Sequence, residues 1–137
     1  MNEQDQLEIV KKAYSNFKSG DIESLLNQMS EDIDWELPKI ENVPFSGKRR
    51  GKEAVREFFR TLASEQDALE FNPMEFIVQG DKVVTLGNYV WKTREGGHQY
   101  GGEWAHVFIV RNGKIASFHE YMDTAAAANA FKKGVMA

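Results

Sequence analysis

The chain has 137 residues and a formal charge of −4, with 17 Lys and Arg against 21 Asp and Glu. That size predicts one domain over 1–137, 42% hydrophobic residues predict a packed core, and the acidic balance gives no general attraction to nucleic-acid phosphates. The absence of cysteine excludes disulfides, thiolate nucleophiles and cysteine-ligated zinc. No apolar run approaches the ~20 residues that span a bilayer. The opening MNEQDQLEIVKKAY lacks a secretory apolar region, so a cytoplasmic protein with no membrane partner is expected.

Leu7, Val10, Tyr14 and Phe17 recur at helical spacing, with Lys11, Lys12 and Lys18 on the other face. Gly20 is placed to end this helix and Asp21 to cap the next, whose buried stripe is Ile22, Leu25, Leu26 and Met29. A short strand is expected from Ile33 to Leu37. A third helix begins near Gly51 or Lys52 and turns Val55, Phe58, Phe59 and Leu62 inward.

From Phe71 the period changes to two. Glu75 to Gln79 reads as a strand, Gly80-Asp81 as a tight turn, Lys82 to Thr93 as a second strand, and Gly96-Gly97 as a loop. Glu103 to Val110 and Ile115 to Tyr121 then form a hairpin about Asn112-Gly113, a strong two-residue turn signal. Ala125 to Lys133 reads as a terminal helix. Helices followed by a meander of hairpins predict an α+β fold, and long bulged strands curl into a shell that leaves a cavity.

Within EWAHVFIVRNGKIASFHEYMD, Trp104, His106, Phe108 and Val110 share one face of their strand. Phe118, Glu120 and Met122 share one face of the next. Each row sets large apolar groups around one ionisable group. If both face the concave side, His106 and Glu120 meet in an aromatic pocket, as a general base and its acid or electrostatic partner. The alternative is a satisfied polar pair that fixes strand register. Tyr14 and Phe17 on the first helix, and Tyr89 and Trp91 on one face of their strand, are candidates to complete the pocket. Asp34 and Glu36 alternate with Trp35 and Leu37, and the alternation leaves open which pair points inward. The basic run Lys48, Arg49, Arg50, Lys52 reads as a solvated turn. His98 and His119 are too scattered to form a metal site with His106.

The progression YSNFKSGDIESLLNQMSEDIDWELP, FSGKRRGKEAVREFF and EWAHVFIVRNGKIASFHEYMD resembles the nuclear transport factor two-like superfamily, in its SnoaL-like and ketosteroid-isomerase-related branch. The resemblance runs from Leu7 to about Ala125. It implies a cone-shaped shell, a curved mixed or antiparallel sheet around N-terminal helices of the cystatin-like α+β barrel type. It also implies a pocket for a small apolar or aromatic molecule, chemistry without a cofactor, and frequent homodimerisation through the sheet. Similarity to limonene epoxide hydrolase places Glu120 where that enzyme has its water-activating aspartate and Glu36 where it has a water-positioning amide. Its arginine and second aspartate fall on Gly87 and Tyr89. Similarity to ketosteroid isomerase aligns Tyr14 with an oxyanion-hole tyrosine, but the position of its base is Leu37. SnoaL-type polyketide cyclases pair an acidic residue with nearby histidines, parts that fall to Glu120 and His106. On this reading Glu120 and His106 are the catalytic candidates. Tyr14, Phe17, Glu36, Tyr89, Trp91, Trp104, Phe118 and Met122 are the ligand-binding ones, and no metal is expected.

Overall fold

The computed structural model describes residues 2–132. Helix α1 (Glu3–Ser19) starts at Asn2, whose side chain accepts from the Asp5 backbone N–H while the Asp5 carboxylate accepts from that of Asn2. This reciprocal cap satisfies two otherwise unpaired donors. The helix ends at Gly20, whose φ of 80° is a left-handed conformation that glycine adopts without steric cost. Asp21 caps α2 (Ile22–Asn27) through the Ser24 N–H. Gln6, not Leu7, is the buried residue of the first turns of α1.

Met29 belongs to β1 (Met29–Glu36), not to the second helix. It is 1% exposed at the start of the strand. β2 (Lys48–Arg50) and α3 (Lys52–Glu65) follow, then four long strands: β3 (Gln66–Gln79), β4 (Lys82–Thr93), β5 (Gln99–Arg111) and β6 (Lys114–Tyr121). Helix α4 (Thr124–Ala130) is capped by Asp123 and stops short of the expected end at Lys133, which lies outside the described residues.

The six strands form one sheet in the order β2-β1-β6-β5-β4-β3. All neighbours are antiparallel except β1 and β6, which run parallel with Trp35 beside Phe118, so the sheet is mixed. It curves around the helices but does not close, because β2 and β3 each keep a free edge. The shell is therefore an open cone.

The basic run Lys48–Arg50 is edge strand β2. Arg50 lies 3.6 Å from Asp34 and 3.9 Å from Asp32, and Lys48 lies 4.0 Å from Glu36. A short, charged edge strand discourages further strand pairing. The same pairing sets the face of β1. Asp34 and Glu36 point outward to these bases, while Ile33, Trp35 and Leu37 are buried. β3 begins well before Phe71. Bulges between Ala68 and Glu70 and between Pro73 and Glu75 break its alternation, leaving Leu69 and Met74 exposed and hiding the strand from a period-two reading.

The core lies between the concave face and the helices. Val10, Ala13 and Tyr14 of α1 and Val55, Phe58, Phe59 and Leu62 of α3 pack on Val83, Trp104, Phe108, Val110, Ile115 and Phe118 of the sheet. Among the described residues no helix is long and apolar enough to cross a membrane.

Candidate active site

His106 on β5 lies directly opposite Glu120 on β6 and Thr85 on β4. A regular two-residue hairpin would not achieve this. Arg111 pairs with Lys114 and Val110 with Ile115, but Ile109 pairs with Ser117, so Ala116 is an extra residue. Without that bulge His106 would face His119 and Glu120 would turn to the convex side, because a one-residue slip reverses every side chain. The bulge brings the carboxylate to the imidazole.

The contact is short. Glu120 Oε2 lies 2.7 Å from His106 Nε2, and the Tyr14 hydroxyl, arriving from α1, lies 2.7 Å from His106 Nδ1. A phenol on one ring nitrogen and a carboxylate on the other favour one neutral tautomer. The Tyr14 O–H donates to Nδ1, and Nε2–H donates to Glu120. Both imidazole nitrogens are thus engaged, whereas among the described residues Glu120 Oε1 has no hydrogen-bond partner. The imidazole is 3% exposed and held flat by Trp104, stacked at 3.9 Å and 8°, with Phe118 edge-on at 4.7 Å.

Trp104 reaches this position because residue 87, opposite it on β4, is glycine. A Cβ there would lie 2.5 Å from the indole and 2.4 Å from the Asn72 carbonyl oxygen.

The cavity around the Tyr14–His106–Glu120 chain is lined almost entirely by apolar groups. Phe17, Tyr89, Trp91, Phe118 and Met122 all stand in its wall. Trp104 is not part of that wall but backs it through His106. Glu36 falls outside it altogether. Its carboxylate sits on the convex face, 4.0 Å from Lys48 and 3.8 Å from His119, since its strand turns Trp35 and Leu37 inward. Wall residues that sequence reading did not single out as ligand contacts include Trp35, Phe71, Gln66 and Tyr100. For Trp35 the acidic alternation of β1 against the basic run was a usable signal. The cavity volume is about 80 Å³. A cavity of ~150 Å³ holds benzene, so a ring-sized ligand needs the aromatic wall to give way.

Three buried phenols bound the site. Burial pushes Tyr14 well above the ordinary tyrosine value, with the Thr85 hydroxyl opposing and the Glu120 charge adding. Tyr89 is pushed up to about 12 by burial and by the charges of Glu120 and Asp123. Tyr100 is raised chiefly by burial, then by Tyr89 and Glu120, against a hydrogen bond to Gln66. Each folded-state pKa lies above its unfolded value near 10, so the folded state holds these protons more tightly. The contribution to stability is whole below pH ~10 and declines as pH rises through the folded values. Guanidinium unfolding at stepped pH is expected to show a midpoint that falls from pH ~10 upward, with phenolate absorbance from these residues appearing together with unfolding. Full ionisation of every tyrosine while the fold persists is the contrary result.

Among the described residues no group of three or more His, Asp and Glu is placed to hold a metal ion. The chain matches the SnoaL-like domain over residues 10–118. It belongs to the SnoaL-like family. No protein with a curated description matches it. An NTF2-like protein from Burkholderia xenovorans LB400 is similar, with 29% identity, a TM-score of 0.88 and coverage of 96% of this chain and 99% of that one. TerC, co-crystallized with polyporic acid, has 27% identity and a TM-score of 0.82, with 93% and 98% covered. A Mesorhizobium loti protein described as a SnoaL-like polyketide cyclase shares the fold at 20% identity and a TM-score of 0.71, with 85% and 97% covered. The SnoaL-like cone here therefore carries a Tyr–His–Glu chain in an aromatic cavity.

Proposed function

We infer that this protein is a cofactor-free acid–base catalyst of the isomerase or cyclase type, acting on a small aromatic molecule held in the cone. The observation that carries this reading is the chain Tyr14–His106–Glu120, buried among aromatic rings with one carboxylate oxygen uncommitted. Glu120 is the base, taking a proton from the bound ligand at Oε1. Of the two roles open to His106, the geometry favours the partner: its Nε2–H donates to Glu120 and orients the carboxylate. Tyr14 secures the imidazole. The polyporic acid in TerC supports an aromatic ligand here too.

The test is proton exchange. A panel of small aromatic ketones and phenols is incubated with the protein in deuterated buffer and followed by NMR. Deuterium incorporation above the buffer rate supports the reading. A compound that binds and never exchanges, across the whole panel, indicates a binding module instead.

The convex face supports a homodimer. Ile77, Val84 and Val107 lie side by side across β3, β4 and β5, next to the row of Leu86, Ala105 and Tyr121. Ile77 and Tyr121 are each 51% exposed, an apolar face of the kind that marks an interface. Sedimentation velocity is expected to give a dimer for the native chain and a monomer for Val107→Glu. A monomeric native chain refutes the assembly without touching the chemistry.

A further inference from the structure

Helices and strands supply the wall of the cavity except at two points. Met122 comes from the short link before α4, and Leu37, Ile40 and Phe45 come from the segment between β1 and β2. That segment is a loop whose ends meet. The Leu37 N–H donates to the Gly47 carbonyl oxygen at 3.0 Å, and the Gly47 N–H to that of Pro38 at 3.3 Å. Further bonds stay inside the loop. The Val43 N–H donates to the Ile40 oxygen and the Ser46 N–H to that of Val43, while the Ser46 hydroxyl reaches both oxygens. A loop closed on itself, with no ladder to its neighbours, opens at lower cost than the sheet beside it.

On its far side the loop borders a second cavity of about 540 Å³, shared with the β4–β5 turn and the end of α4. Ile40 lines both spaces, so at that residue the loop is the partition between them. The inner space is too small for a ring, and the outer one has room to receive the loop. Two aromatic contacts hold the partition shut. Phe45 lies edge-on to Phe58 at 6.2 Å and to Phe131 at 5.6 Å. The chief polar hold is Arg49 of β2. Its guanidinium sits 5.3 Å over the Phe58 ring and donates to the carbonyl oxygens of Phe45 at 2.9 Å, Ser46 at 3.4 Å and Pro44 at 3.5 Å. We propose that residues 38–47 are the door of the cone cavity and that Arg49 is its latch. Opening joins the two spaces and admits a ring-sized molecule, and closing restores the apolar wall around the site. This goes beyond the catalytic reading, since a door serves a binding protein equally well.

The test is thiol labelling, which the absence of native cysteine makes specific. Ile40→Cys and Ala13→Cys place single thiols at two wall positions that are each 4% exposed in the native chain, one on the loop and one on α1. Reaction with dithiobis(nitrobenzoate), itself an aromatic disulfide, is followed by the coloured thiolate it releases, under conditions where both proteins are folded. The loop thiol is expected to react about tenfold faster or more, because local opening exposes it while the α1 thiol waits for wider unfolding. Arg49→Met keeps a stem over Phe58 and removes the donors. Added to each protein, it should speed the loop thiol by about tenfold, the least that one hydrogen bond to a charged group contributes, and leave the α1 thiol unchanged. Arg49→Lys keeps the charge without the planar fork. It should fall between the two, and it carries the second comparison if the methionine variant does not fold. Equal rates at the two positions overturn the proposal. So do Arg49 variants that leave the loop thiol unchanged or that speed both thiols alike. No ligand or turnover enters the measurement, so a failed door leaves proton exchange by Glu120 standing, and absent exchange leaves the door standing.

Discussion

Glu120→Gln is expected to reduce catalysed proton exchange by about 10²- to 10⁴-fold, the span that a positioned general base contributes. The substitution is conservative in every respect but one. Glutamine has the same length and keeps a carbonyl oxygen to accept the His106 Nε2–H bond, 2.7 Å long with the native carboxylate. It loses only charge and basicity. The loss should therefore fall on kcat, with KM little changed, because the interaction removed is one made as the proton moves. Thermal stability should change little, since the Glu120 side chain is 19% exposed and its hydrogen bond to His106 is retained. Glu120→Asp keeps the charge but withdraws it by one methylene and is expected to give an intermediate rate, for a misplaced base is slow even at the right pKa. The measurement is the NMR exchange rate of one panel compound against enzyme concentration for the three proteins. If Glu120→Gln exchanges as fast as the native protein, Glu120 is not the base, and the His106 contact is a structural pair that sets the hairpin register.

Much of this site was legible before the structure, for a specific reason. In strands the side-chain period is fixed by geometry, so grouping Trp104, His106 and Phe108 on one face, and Phe118, Glu120 and Met122 on one face, needed no tertiary information. What the alternation does not contain is the register between the two rows. The Asn112-Gly113 turn alone sets His106 opposite His119, and only the extra residue Ala116 moves Glu120 into place. Shared aromatic character, not the turn, signalled that the rows meet. Tyr14 was legible as a buried phenol from helical spacing, but its landing on Nδ1 of His106 depends on how α1 lies across the sheet. The misplacement of Glu36 has a similar origin. Period two says that Glu36 and Trp35 oppose each other and is silent on which is inside. The decision rests with β2, three residues of basic sequence that read as a turn because the pattern is too short to show a period. In β3 the bulges at Leu69 and Met74 reset the phase twice, concealing a strand of 14 residues.

Gly87→Ala is expected to destabilise the protein by about 3 kcal/mol or more, at the upper end of what overpacking costs, and to lower the melting temperature by roughly 10 °C in a domain of this size. The added methyl meets the Asn72 carbonyl oxygen at 2.4 Å and the Trp104 ring at 2.5 and 2.6 Å. The oxygen cannot retreat easily, because Asn72 and Pro73 are laddered to Asn88 and Gly87 across β3 and β4. The indole cannot move without leaving the face of His106, where it stacks at 3.9 Å. The strain therefore passes to the imidazole and onward to Glu120, so the variant should lose exchange activity as well as stability. A double-mutant cycle with Trp104→Ala separates the two obstacles. With the indole gone, Gly87→Ala should cost clearly less, and the remainder measures the clash with the backbone oxygen. Equal costs in both backgrounds assign the whole effect to β3. A loss below about 1 kcal/mol in the native background, well within the ordinary range for point substitutions, means that the packing of Trp104 over residue 87 is looser than drawn and that the indole does not hold His106 in place.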